Sequence, residues 1–119
     1  MIELNYRDSR PIYEQIKESY RKLIVSGVLK ENERLESVRT LSVQLSINPN
    51  TIQRAYNELE NEGYIYSIPG KGSFVAPALR QDTGKIDTLK EKLRETTAEL
   101  KFLGVKYDDI VGLIGEEFK

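Results

Sequence analysis

Two residues, Ser46 and Ile47, separate two stretches of helically spaced apolar residues, and a break this short forces the two helices to lie against each other. Before the break Val38, Leu41 and Leu45 share one face, and Ser37 is placed to cap it. After the break Asn48 serves as N-cap and Pro49 as the first helical residue. That helix is expected to run to Glu62, bury Ile52, Ala55, Tyr56 and Leu59, and stop at Gly63. Upstream, Ile12, Ile16, Tyr20, Leu23 and Ile24 recur at spacings of three and four, which predicts an amphipathic helix from Pro11 to Ser26 with Gly27 just beyond it. A polar connector, Lys30 to Arg34, joins the first helix to the second. Downstream, Tyr64 to Ile68 is rich in β-branched and aromatic residues, Pro69-Gly70-Lys71-Gly72 reads as a turn, and Ser73-Phe74-Val75 returns as a strand.

Beyond Pro77 the pattern changes. The polar run Arg80-Gln81-Asp82-Thr83-Gly84 reads as a linker, followed by a heptad-like seam of Ile86, Leu89, Leu93, Thr96, Leu100 and Leu103 flanked by Lys and Glu. Gly104 ends that helix. A last helix, with Asp108 or Asp109 near its start, carries Tyr107, Ile110, Val111, Ile114 and Phe118 on its apolar side. The chain thus divides into residues 1–77 and residues 78–119. Two helices of this length cannot close a sizeable core. Leu89, Leu93, Leu100, Leu103, Ile110, Ile114 and Phe118 are therefore expected to meet a second copy of the chain, giving a homodimer.

Composition removes most chemistry. Among 119 residues there is no Cys and no His, so disulfides, thiolate or imidazole metal sites and the usual nucleophilic triads are excluded, and neither a metal nor a cofactor is expected. Asp108 and Asp109 do not form a carboxylate pair, since adjacent helical residues point about 100° apart. Gly70-Lys71-Gly72-Ser73 lacks the upstream glycine of a phosphate-binding loop and leads into a strand. An enzyme is not expected. The N-terminal Met1-Ile2-Glu3-Leu4 shows no secretory pattern and no run of about 18 apolar residues occurs, so a cytoplasmic protein without membrane contact is expected.

Three helices followed by a hairpin, with the second and third helices nearly contiguous, is the order of a winged helix-turn-helix. The overall fold is accordingly mostly α with a small β-hairpin, the winged part preceding a two-helix dimerisation region. Opposite the apolar stripe of the third helix lie Asn50, Gln53, Arg54 and Asn57, with Thr51 in the first turn. These are amide, hydroxyl and guanidinium groups that pair with bases or phosphates. Eighteen Lys and Arg against nineteen Asp and Glu give a net charge of −1, which argues against nucleic acid as a partner. Yet no Asp or Glu occurs from Ser37 through Asn57, where Arg39 and Arg54 are present. A carboxylate facing phosphates would oppose binding, and this segment has none. The tyrosines Tyr13, Tyr20, Tyr56, Tyr64 and Tyr66 are read as core and hairpin packing.

Pro11-Ile12-Tyr13-Glu14-Gln15-Ile16, Leu35-Glu36-Ser37-Val38-Arg39-Thr40-Leu41, Asn48 to Tyr56, Leu59-Glu60-Asn61-Glu62-Gly63 and Gly70-Lys71-Gly72-Ser73-Phe74-Val75 together resemble the GntR family of bacterial transcription regulators. The short tail resembles the YtrA-type subfamily. The resemblance implies a repressor that binds a pseudo-palindromic double-stranded DNA operator as a homodimer, with control of a transport operon. It further implies DNA contact by Arg39 from the second helix, by Asn50, Thr51 and Gln53 from the third, and by Gly70 and Lys71 in the minor groove. Glu36 and Asn32 stand where the family usually has Pro and Gly, so the loop before the second helix is expected to be less rigid and more acidic. A small-molecule effector is not identified by any residue set; its expected place would be between the tail and the DNA-binding part. The alternative reading is a winged-helix interaction module that does not touch DNA, and substituting Arg39 and Gln53 separates the two.

Overall fold

The computed structural model describes residues 2–77 and 83–119, which fall into two compact units, Met1–Arg80 and Gln81–Lys119. The first contains α1 (Ile12–Val25), α2 (Val38–Leu45), α3 (Pro49–Asn61), β1 (Ile65–Ile68) and β2 (Gly72–Val75). The second contains α4 (Thr83–Phe102) and α5 (Tyr107–Glu117).

Local chemistry sets the boundaries of the helix-turn-helix. Ser37 Oγ accepts the Thr40 amide at 3.0 Å and starts α2. Ser46 ends it in the left-handed region at φ 54°, and Ser42 then closes the turn twice: its carbonyl accepts the Ile47 amide at 3.1 Å and its hydroxyl donates to the Ile47 carbonyl at 2.6 Å. The Asn48 side chain accepts the Asn50 amide at 2.8 Å, with Pro49 in the first turn of α3. The expected caps therefore stand where the residues placed them.

The core of the first unit joins Ile16 and Tyr20 of α1, Leu41 of α2, Ile52, Ala55, Tyr56 and Leu59 of α3, and Ile65 and Val75 of the hairpin, together with Leu29 and Leu35. Tyr20 and Tyr56 meet edge to face, 5.6 Å between ring centroids, and the Tyr56 hydroxyl donates to the Glu36 carbonyl at 2.6 Å. Burial pushes both phenols above the ordinary tyrosine range, so they stay protonated and able to donate. Gln15 is the buried polar side chain. Its amide nitrogen donates to the Asn5 and Arg10 carbonyls and its oxygen accepts the Asn5 amide, which ties the N-terminal arm to α1.

β1 and β2 pair antiparallel from Ile65↔Val75 to Ile68↔Gly72. Pro69 and Gly70, the latter at φ 77°, make the connecting turn, closed by the Lys71 amide on the Ile68 carbonyl at 2.9 Å; Pro then Gly with positive φ is what a type II turn demands. The connector before α2 differs from expectation. It makes an isolated antiparallel bridge to β2: Asn32 and Leu35 donate to the Val75 and Ser73 carbonyls, Val75 donates back to Glu33, and Arg34 pairs with Phe74. Asn32 takes φ 66°, a left-handed conformation that Asn tolerates far better than most residues, and its side chain accepts the Tyr66 hydroxyl at 2.7 Å. Replacing the usual glycine thus leaves the loop hydrogen-bonded at both ends, not loosened.

In the second unit α4 ends in a Schellman arrangement. Gly104, at φ 93°, donates to Lys101 and Val105 to Leu100. Asp108 and Asp109 occupy the first turn of α5, where carboxylates oppose the positive helix end. The expected linker needs correction, because Thr83 and Gly84 already belong to α4 and the Thr88 hydroxyl donates to the Gly84 carbonyl at 3.0 Å. Arg80, Gln81 and Asp82, and Ala78 at the expected boundary, lie outside the described residues. No described apolar residue after Ala76 is buried. Leu100 and Ile110 are half-buried, whereas Leu89, Leu93, Leu103, Ile114 and Phe118 are exposed.

Replacing Tyr56 by Phe leaves the Glu36 carbonyl without its donor while conserving ring packing. We expect a loss of about 1–2 kcal/mol, read as a fall of roughly 5–10 °C in the Tm of the first unit.

Candidate nucleic-acid interface

With about 100° of turn per residue, the buried stripe of α3 dictates what its opposite face presents. Asn50, Arg54, Asn57 and Asn61 point away from Ile52, Ala55, Tyr56 and Leu59; Gln53 is exposed on one flank and Thr51 is half-buried on the other. The Gln53 amide donates to Asn57 Oδ1 at 2.9 Å, so the two side chains form one hydrogen-bonded pair a turn apart. Arg54 is held differently. Its guanidinium carbon lies 3.7 Å above the centre of the Tyr13 ring of α1, Nη2 donates to the Tyr13 hydroxyl at 3.1 Å, and Nε lies 3.4 Å from Glu58.

Arg39 sits exposed in the first turn of α2 and Lys71 exposed in the hairpin turn beside Gly70. Arg34 approaches the same hairpin. A Cβ on Gly72, whose φ is 123°, would lie 2.9 Å from Arg34 Nε. These three cations have no carboxylate partner among the described residues, and the reason lies in how the carboxylates are used. Lys17 of α1 binds Glu58 at 3.1 Å and Glu62 at 2.9 Å, which holds its ammonium above the usual lysine range despite partial burial. Arg21 pairs with Glu18 and draws that carboxyl below its ordinary value. Arg10 pairs with Asp8 at 2.8 Å. These acids are matched by bases of the same unit, and among the described residues the cations on α2 and in the hairpin turn are left without a carboxylate partner.

The structure therefore brings Asn50, Gln53 and Arg54 together on the outer face of α3, with Thr51 at its edge, while Arg39 stands on α2 and Gly70 and Lys71 on the hairpin. Two side chains placed beside these residues are not singled out by the sequence. Arg34 was part of a polar connector, since three residues with a single inward Leu35 are too few to show strand alternation. Tyr13 was read as packing, as were Tyr20 and Tyr56, which are core, and Tyr66, which stacks on Phe74 at 5.6 Å. Its partner Arg54 lies 41 residues away, beyond the reach of any periodicity.

Residues 12–75 match the family described as bacterial regulatory proteins, gntR family. The chain belongs to the GntR family. It is 35% identical over 112 residues to the HTH-type transcriptional repressor YtrA of Bacillus subtilis, spanning 92% of this chain and 86% of that protein. A crystal structure described as a transcriptional antiterminator from Listeria monocytogenes superposes on the whole chain with a TM-score of 0.79 at 36% identity, covering 90% of that chain. The AraR DNA-binding domain solved with an operator aligns over 64% of this chain and 93% of its own with a TM-score of 0.55 at 29% identity. This GntR protein is a transcription regulator with a winged-helix DNA-binding domain, not an enzyme. Among the described residues no helix is long and apolar enough to cross a membrane.

Gly72 is required on two grounds, its positive φ and the guanidinium beside it. Gly72→Ala is expected to cost about 1–3 kcal/mol from backbone strain and to displace Arg34, measurable as a lower Tm and shifted amide resonances at Ser73 and Phe74.

Proposed function

We propose that the chain is a repressor that binds a pseudo-palindromic operator as a homodimer and controls a transport operon. The observation that carries the DNA-reading part is the outer face of α3, which from Asn50 to Asn57 offers amide, hydroxyl and guanidinium groups and no carboxylate. Gln53 and Asn50 suit adenine edges, Arg54 a guanine or a phosphate, and Arg39 and Lys71 the phosphates on either side. Gly70, at φ 77°, lets the hairpin turn approach a groove without a side chain in the way. The AraR domain, which binds an operator, supports placing this face on DNA.

The homodimer rests on the second unit. Leu89, Leu93, Leu103, Ile114 and Phe118 are exposed in the single chain, Phe118 by 87%, and Leu100 and Ile110 are only half-covered. Apolar surface on this scale in two helices is the mark of a partner surface, and pairing two copies about a two-fold axis would set two winged helices on two half-sites. Likeness to YtrA, a transcriptional repressor, supports repression, and the transport operon is what the resemblance of the tail to YtrA-type regulators implies.

The DNA test uses a duplex recovered by selecting a randomised double-stranded pool on the full chain. Arg39→Ala and Gln53→Ala should each weaken binding by about 1–3 kcal/mol, whereas Lys71→Ala should weaken all sequences alike and lower the salt slope by about one. Unchanged affinity in both Arg39→Ala and Gln53→Ala, with fold intact by circular dichroism, would refute the reading. For the dimer, sedimentation velocity of Leu93→Asp should show a monomer where the unmodified chain sediments as a dimer.

A further inference from the structure

We infer that Tyr13 is a positioning residue for DNA recognition: it holds the Arg54 guanidinium in one orientation on the outer face of α3 and thereby sets how tightly and how selectively the chain binds. The inference rests on the proposed reading of that face and adds to it a residue on a different helix.

An arginine side chain has several rotatable bonds, and one that projects freely must be ordered when it meets a base or phosphate. Arg54 remains 62% exposed, yet three contacts restrain it. The Tyr13 ring covers one face of the guanidinium at 3.7 Å, the Tyr13 hydroxyl accepts from Nη2 at 3.1 Å, and Glu58 lies 3.4 Å from Nε. A guanidinium carries five N–H donors. Tyr13 takes one N–H of Nη2 and Glu58 lies beside Nε, which leaves the N–H groups of Nη1 and the second of Nη2, and Nη1 with Nη2 can pair bidentately with a guanine or a phosphate.

The support beneath Tyr13 is itself fixed. Tyr13 adjoins Ile12, partly buried against the core, and lies one helical turn before Lys17. Lys17 in turn binds Glu58 of α3 and Glu62 at its C-cap, so that α1 is fastened to α3 beginning one turn beyond Arg54. Glu58 is shared, giving Oε1 to Lys17 and Oε2 to Arg54. Glu58 therefore orients Arg54 from the Nε side while it also fastens Lys17. Tyr13 itself packs partly buried against the core, and its hydroxyl donates to Glu14 at 3.2 Å while accepting from Arg54.

The experiment is a double-mutant cycle on the full chain, using the selected duplex and single-base variants of it. Tyr13→Leu is expected to weaken binding about three- to tenfold, in keeping with loss of a cation–π contact and a hydrogen bond. Arg54→Ala is expected to weaken it further. In the Arg54→Ala background Tyr13→Leu should change affinity less than twofold, and both single variants should alter discrimination among base variants, and the salt dependence, in the same direction. Tyr13→Phe, which keeps the ring and packing, should fall between Tyr13→Leu and the unmodified chain, and thermal melting identifies any variant that loses its fold. Tyr13→Leu acting equally with and without Arg54, or leaving affinity unchanged while Arg54→Ala weakens it, would overturn the inference and leave the DNA reading intact. No effect of Arg54→Ala would remove Arg54 from the interface and this role of Tyr13 with it. A chain that enriches no duplex at all would overturn the DNA reading itself.

Discussion

Burial of Ile52, Ala55, Tyr56 and Leu59 is the constraint on which the rest of the first unit depends. A helix has one rotational setting that places four such residues inward, and that setting decides what its other face presents. Tyr56 adds direction to this non-directional burial. Its hydroxyl reaches the Glu36 carbonyl, the last peptide but one before α2, so the recognition helix and the entry to the preceding helix are tied at one point. The turn between α2 and α3, closed twice by Ser42, adds a second restraint on their angle.

Electrostatics follow the same division of faces. Glu58 on α3 and Glu62 at its C-cap are held by Lys17 of α1, and Glu60 accepts the Ser67 hydroxyl of the hairpin at 2.8 Å. The acids of the recognition helix thus serve its attachment to neighbours, while its first two turns remain free of carboxylates. Net charge averaged over the chain conceals this arrangement, and only the order of residues along the helix reveals it.

Much of the fold was legible because its signals are local. Ser37 and Asn48 are caps, Pro49 is a first-turn residue, Gly63 and Gly104 follow helix ends, and each acts within four residues of itself. The outer face of α3 could be read for the same reason, since helical periodicity relates a residue to its own neighbours. What escaped was made by contacts between distant segments. The bridge of Arg34 to Phe74 exists only because β2 offers partners, and Tyr13 is distinguished from other tyrosines by Arg54 standing over it. Thr83 and Gly84 escaped for the opposite reason. Their local preference favours a linker, and the helix that follows extends through them.

The two units differ in how far each satisfies itself. The first encloses a core and leaves no buried side-chain polar atom unpartnered among the described residues. The second buries no apolar residue among those described, although the Schellman turn at Gly104 ends α4 and Asp108 and Asp109 stand in the first turn of α5. Helices so defined but without a core do not persist through packing within one chain, since helical stability in proteins comes mainly from burying an apolar face. In the proposed homodimer that requirement and the recognition function become one. Covering Leu89, Leu93 and Phe118 with a second copy would stabilise the tail and also bring a second winged helix to the same DNA. A single half-site contact made through a few amides and cations is weak, and linking two of them raises the effective concentration of the second by orders of magnitude. The exposed tail is therefore what would convert a modest reading face into a selective one.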